Sequence, residues 1–116
     1  MNYTSSEYKG YEIVELVGKI DRLKDSITLK SHLNSLLEKN TRNVALNLSK
    51  VTYLDSGALN VLIYAHNSLR KREGALVLIQ PNEYVRDVLE VVGLDKLVKI
   101  YPSDEEFRNG VASPHP

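Results

Sequence analysis

Hydrophobic and polar positions along the chain switch repeatedly between a two-residue and a three-to-four-residue repeat, and each switch predicts a change of element. Tyr3 to Tyr8 is polar but rich in β-favouring residues, and Lys9-Gly10 marks a turn. Tyr11-Glu12-Ile13-Val14-Glu15-Leu16-Val17 is a β-branched run that Gly18 ends, so the two pieces predict an antiparallel hairpin. From about Ser26 to Lys39, the residues Ile27, Leu29, Leu33, Leu36 and Leu37 recur at the spacing of one face of a helix. Asn40-Thr41-Arg42 breaks that helix, and a strand from Asn43 to Leu48 follows. A second helix runs from about Ser56 toward Arg72, with Leu59, Leu62, Ile63, His66 and Leu69 on one face, and stops near Gly74. Ala75-Leu76-Val77-Leu78-Ile79 is continuously apolar, the pattern of a strand covered on both faces. Pro81-Asn82-Glu83 opens a third helix carrying Tyr84, Val85, Val88, Leu89 and Val92, and Gly93 ends it. After a short strand, Val98 to Tyr101, Ser103 with Glu106 three residues on reads as a capping box for a last helix. The expectation is an α/β fold: one domain over residues 1–112 with a mixed sheet, an N-terminal hairpin and about four helices, then a disordered tail over 113–116.

Composition narrows the function. A chain of 116 residues fits one domain and can bury roughly two-thirds of its unfolded surface. With no cysteine there is no disulfide framework, thiolate metal site or cysteine nucleophile, which fits a reducing compartment. Fifteen basic and fifteen acidic residues cancel, and no basic run is interleaved with aromatics, so no nucleic-acid footprint is expected. No apolar run approaches the ~18 residues of a membrane span, and the polar start Met1-Asn2-Tyr3-Thr4-Ser5-Ser6 lacks a signal-peptide core. A cytoplasmic protein with no membrane span is the expectation.

Candidate chemistry is sparse. His32, His66 and His115 lie on different elements without metal-ligand spacing, so no metal is expected, and His66 on an apolar face reads as a packed or partner-facing imidazole. No strand is followed by a glycine-rich phosphate loop, and Asp55-Ser56-Gly57 lacks the glycine of a nucleophile elbow. Ser56 and His66 would stand about 15 Å apart along one helix, too far for a dyad. These absences predict a protein that is not an enzyme and needs no cofactor. Attention therefore falls on Tyr53-Leu54-Asp55-Ser56-Gly57, between a strand and a long helix. Ser56 can cap that helix or stand exposed to a kinase or partner; equally, Asp55 can be the cap, with Ser56 as the first helical residue. Asp21, in the loop leading to the first helix, reads locally as a turn or helix-entry carboxylate.

Gly18-Lys19-Ile20-Asp21, then Val44-Ala45-Leu46-Asn47-Leu48, then Val51-Thr52-Tyr53-Leu54-Asp55-Ser56-Gly57-Ala58-Leu59 resemble the bacterial STAS domain, most closely its anti-sigma factor antagonists. Val91-Val92-Gly93-Leu94-Asp95-Lys96-Leu97 looks like a further stretch of that family, and the order of elements agrees from Tyr11 to about Val111. The resemblance implies that Ser56 is the serine phosphorylated by a partner that is both anti-sigma factor and serine kinase. It also implies that a PP2C-type phosphatase restores the unmodified form. Partner-binding residues on this reading are Asp21, Asp55, Ser56, Gly57, Ala58 and Asn60. Where the family usually has two glycines after the serine's neighbour, this chain has Ala58 and Asn60, with glycine at position 57 instead, and Lys19 replaces the usual acidic residue of the turn. The alternative is a STAS module that binds protein without being phosphorylated, as a scaffold or a lipid-transport complex subunit. Oligomeric state is left open.

Overall fold

Lys9 and Gly10 both carry positive φ, 47° and 86°, the geometry that lets a two-residue turn match the twist of its flanking strands. In the computed structural model, which describes residues 1–111, this turn folds Asn2–Tyr8 (β1) antiparallel onto Tyr11–Ile20 (β2), with Tyr8 opposite Tyr11 and Asn2 opposite Val17. The chain continues through Leu23–Glu38 (α1), Asn43–Leu54 (β3), Ser56–Arg70 (α2), Ala75–Ile79 (β4) and Glu83–Val91 (α3). A 3-10 turn at Leu94–Lys96, then Lys99–Tyr101 (β5) and Asp104–Gly110 (α4), complete it. The sheet has the order β1-β2-β3-β4-β5, and every pairing after the hairpin is parallel. The expected mixed sheet with an N-terminal hairpin and four helices is what forms.

Parallel neighbours need crossovers, and in this strand order α1, α2 and α3 serve in turn. They pack on one face of the sheet, where Val14, Leu16, Leu46, Leu48 and Leu78 meet Leu29, Leu33, Leu62, Leu69, Val85 and Leu89. The second face is covered by α4, whose Phe107 packs with Ile13, Ala45, Val77 and Ile79. With helices on both faces β4 is buried along nearly its whole length, as its unbroken apolar run predicts. Because each crossover helix starts where a parallel strand ends, the N-termini of α1, α2 and α3 gather at one end of the molecule.

Several boundaries differ from the sequence reading. Gly18 does not end β2; it lies inside the strand at φ 102°, next to a shift of register, and the strand runs on to Ile20. β3 likewise runs past Leu48 to Leu54, because the extended part of β2 pairs with it, Gly18 opposite Val51 and Ile20 opposite Leu54. α1 begins at Leu23, three residues before Ser26, and Ile27 is not on its inner face: the side chain is 59% exposed. His66 is buried in the core face of α2, which resolves its two readings in favour of packing. Ser103 caps α4 by accepting from the Glu106 N–H at 3.0 Å, as the motif predicts. The tail assigned to 113–116, and Ala112 before it, lie outside the described residues.

An imidazole of α1 ties to the hairpin's edge strand, beside the ion pair of the Met1 ammonium with Asp25 at 3.5 Å. His32 stacks on Tyr3 with ring centroids 4.4 Å apart, and its Nε2 lies 2.8 Å from Ser5 Oγ. Desolvation lowers its pKa, opposed by Glu12 and reinforced by Lys39. Lowering the folded-state pKa means the unfolded chain takes up the proton first as pH falls. The stability tied to neutral His32 is therefore present above its ordinary pKa and is lost on acidification through the folded value. Melting temperature is expected to fall between about pH 7 and pH 5, and to fall less in His32→Gln; identical pH dependence in the two proteins would remove His32 from the account.

Candidate functional site at the start of the second helix

The end of β3 hands directly into α2. The Asp55 N–H donates to the carbonyl of Ile20 at 3.0 Å, continuing the pairing with β2 by one residue. Asp55 has extended backbone, φ −93° and ψ −179°, and its Oδ1 accepts from the Ala58 N–H at 2.9 Å. This is an N-cap: a side-chain oxygen three residues upstream satisfies a helix-start donor that has no partner within the helix. Asp55 is therefore the cap, and Ser56 is not. Ser56 is the first helical residue, is exposed, and stands where the helix dipole favours negative charge.

Of the other residues expected at the site, Asp21 is brought alongside, since it follows the Ile20 carbonyl that Asp55 bonds, and it is exposed. Asn60 is exposed one helical turn along α2 from Ser56. Ala58 is fully buried and takes part only through the N–H that Asp55 caps. Gly57 is half-buried against α1: a methyl group there would sit 3.0 Å from Ser26 Oγ and 3.3 Å from Asp55 Oδ1. The glycine thus permits close helix approach, with Ser26 only 7% exposed.

Exposed apolar side chains occur on the elements next to this helix start, and the sequence reading did not assign them to the site. On α1, Leu23 and Ile27, one helical turn apart, are 77% and 59% exposed. Near the end of β3, Tyr53 stacks on Tyr84 of α3, centroids 5.8 Å apart and planes 16° from parallel. Asn82 fixes that pairing: its Oδ1 caps α3 through the Val85 N–H at 2.7 Å, while its Nδ2 donates to the Val51 carbonyl at 3.2 Å. The i, i+4 spacing of Leu23 and Ile27 was visible, but the periodicity of α1 assigned Ile27 to its inner face. The tyrosine pair joins residues 31 apart in sequence, so no local pattern announces it.

The arrangement offers an exposed hydroxyl on a capped helix start beside Asp55, with exposed apolar side chains on the neighbouring elements. Those are features of a surface that a protein partner can grip. Among the described residues no three His, Asp or Glu side chains cluster as metal ligands would, and no helix is long and apolar enough to cross a membrane.

The model of the STAS domain family matches residues 4–107. The chain belongs to the STAS domain family. Its relatives within that family include a protein of Thermotoga neapolitana named as a candidate anti-sigma factor antagonist, 33% identical over 83% of this chain and 90% of that protein. BtrV of Bordetella bronchiseptica, which bears the same description, is 29% identical over 90% of each chain. The crystal structure of a candidate anti-sigma factor antagonist from Thermotoga maritima shares the STAS fold with a TM-score of 0.82 and 26% identity, covering 94% of this chain and 93% of that one.

Proposed function

We propose that this STAS domain is an anti-sigma factor antagonist: a cytoplasmic, non-enzymatic switch that binds an anti-sigma factor when Ser56 is free and lets go when Ser56 is phosphorylated. The observation that carries the reading is the exposed Ser56 at the first position of α2, directly after its Asp55 cap. The names of the relatives that align over most of the chain support it. The anti-sigma factor is taken to be the serine kinase. It moves the terminal phosphoryl group of ATP to Ser56 Oγ, ADP leaves, and the hydroxyl proton passes to a base of the kinase. A PP2C-type phosphatase then returns Ser56 to its free form by hydrolysis. Asp21, Asp55, Ser56, Gly57 and Asn60 supply the polar part of the docking surface, with Ala58 beneath it, and Leu23, Ile27, Tyr53 and Tyr84 supply exposed apolar area.

The mechanism is local. A phosphate adds about −1.5 to −2 charges at neutral pH. Free in water, the N-terminus of α2 accommodates them. Against a docked partner the same charges lie next to Asp55 with water excluded, where like charges cannot be screened. No large rearrangement of the fold is needed. Incubation with the cognate kinase and ATP, followed by mass-spectrometric mapping, is expected to place one phosphate on Ser56; phosphate on another residue, or none, ends this reading.

A further inference from the structure

Ser26 carries the one buried side-chain polar atom that lacks a hydrogen-bond partner among the described residues. A buried hydroxyl left unpaired is costly, so an orphan of this kind calls for an explanation. Its position supplies one. Ser26 Oγ and Asp55 Oδ1 approach the same spot beside the Gly57 Cα, the spot that any Cβ at position 57 would fill. In the unmodified protein Asp55 Oδ1 accepts from the Ala58 N–H, and Ser26 Oγ makes no hydrogen bond to it or to any other described group.

We propose that Ser26 is a positioning residue held in reserve: it takes the Asp55 carboxylate when a phosphate on Ser56 displaces that carboxylate from the helix start. The proposal rests on the phosphorylation reading above. A phosphoserine at the first helical position brings three strong acceptor oxygens to the unpaired N–H groups of α2. Those groups include the Ala58 N–H that Asp55 now caps, and the phosphate repels the carboxylate while competing for its donor. The displaced carboxylate then needs another donor. Ser26 Oγ is the orphan that faces the same Cβ position at Gly57, 3.0 Å from it where Asp55 Oδ1 is 3.3 Å, and with glycine there no side chain fills that spot. On this account glycine at position 57 and serine at position 26 form one device. It lets the cap move aside for the phosphate without losing a hydrogen bond.

The test is a reversal of sign. Ser26→Ala in the unmodified protein removes an unsatisfied hydroxyl, so its melting temperature is expected to stay level or rise. In protein carrying phosphoserine at position 56, inserted during translation so that no kinase is required, Ser26→Ala is expected to lower it by about 4 °C. The Asp55 side-chain carboxyl 13C shift supplies a readout that packing alone would not move. Ser26→Ala should change it in the phosphoprotein and leave it unchanged in the unmodified one. Shifts of the same size and sign in both states would overturn the proposal. A kinase that ignores Ser56 would defeat the phosphorylation reading while leaving this measurement intact.

Discussion

Ser56→Asp is expected to weaken binding to the anti-sigma partner about 10- to 100-fold, while Ser56→Ala binds as the parent does. The estimate starts from two unit charges 4 Å apart, which cost about 4 kcal/mol at an effective dielectric of 20. Much of that repulsion between position 56 and Asp55 is already present in the free protein, screened by water, so only the increase on docking counts against affinity. A third to two-thirds of the full value is about 1.4 to 2.8 kcal/mol, which gives the stated range. Aspartate carries less charge than a phosphate and leaves Asp55 on its cap, so it gives a lower bound on the effect of the modification. Unfolding is readily separated from loss of binding. Acidic residues in the first turn of a helix stabilise it by roughly 0.3–1 kcal/mol, so the melting temperature of Ser56→Asp should not fall. Calorimetric titration of both variants with the partner checks the point. Equal affinities would favour a constitutive binding module in which Ser56 is only the first residue of a helix.

The parts of this fold that could be read in advance are those where one face of an element is buried and the other is wet. Leu29, Leu33, Leu36 and Leu37 on α1, and Leu62 and Leu69 on α2, show the helical repeat because the sheet takes one side of each helix. β4 shows no repeat at all, and its unbroken run was informative for the opposite reason. What local pattern misassigned is the upper half of β2 and β3. There a register shift around Gly18 and the adjacent exposed residues Thr52 and Tyr53 interrupt the alternation, and only the pairing of the two strands carries them on to Ile20 and Leu54. At the site, the capping role of Asp55 was one of two open alternatives, because aspartate and serine are both good cap residues. The tie between Asp55 and Ile20 decides it, by holding Asp55 in extended backbone. The Ser26 contact with Gly57 depends on α1 meeting α2 side by side, and the Tyr53–Tyr84 stack on α3 meeting the end of β3, so they belong to tertiary structure alone.

Phe107→Ala is expected to be the most destabilising of these changes and yet to leave the Ser56 surface working. Phe107 is fully buried, and its ring meets those of Tyr11 at 5.3 Å and Tyr101 at 5.4 Å, both close to edge-on, in the cluster that seats α4 on the second face of the sheet. At seven residues, α4 is too short to persist without tertiary packing. Its Ser103 cap and the exposed Arg108–Asp104 pair cannot replace that packing. Truncating a core phenylalanine costs about 3–5 kcal/mol, a large part of the roughly 5–15 kcal/mol that holds a domain together. A fall in melting temperature of about 12 °C or more follows, with Phe107→Leu losing less. The N-termini of α1, α2 and α3 lie on the other face, anchored by Leu29, Leu62 and Val85 in a separate cluster. Partner affinity measured well below the new melting temperature should therefore stay within about twofold of the parent, under half a kcal/mol. Loss of binding by Phe107→Ala protein that is still folded would mean that the switch surface reaches through the sheet to α4.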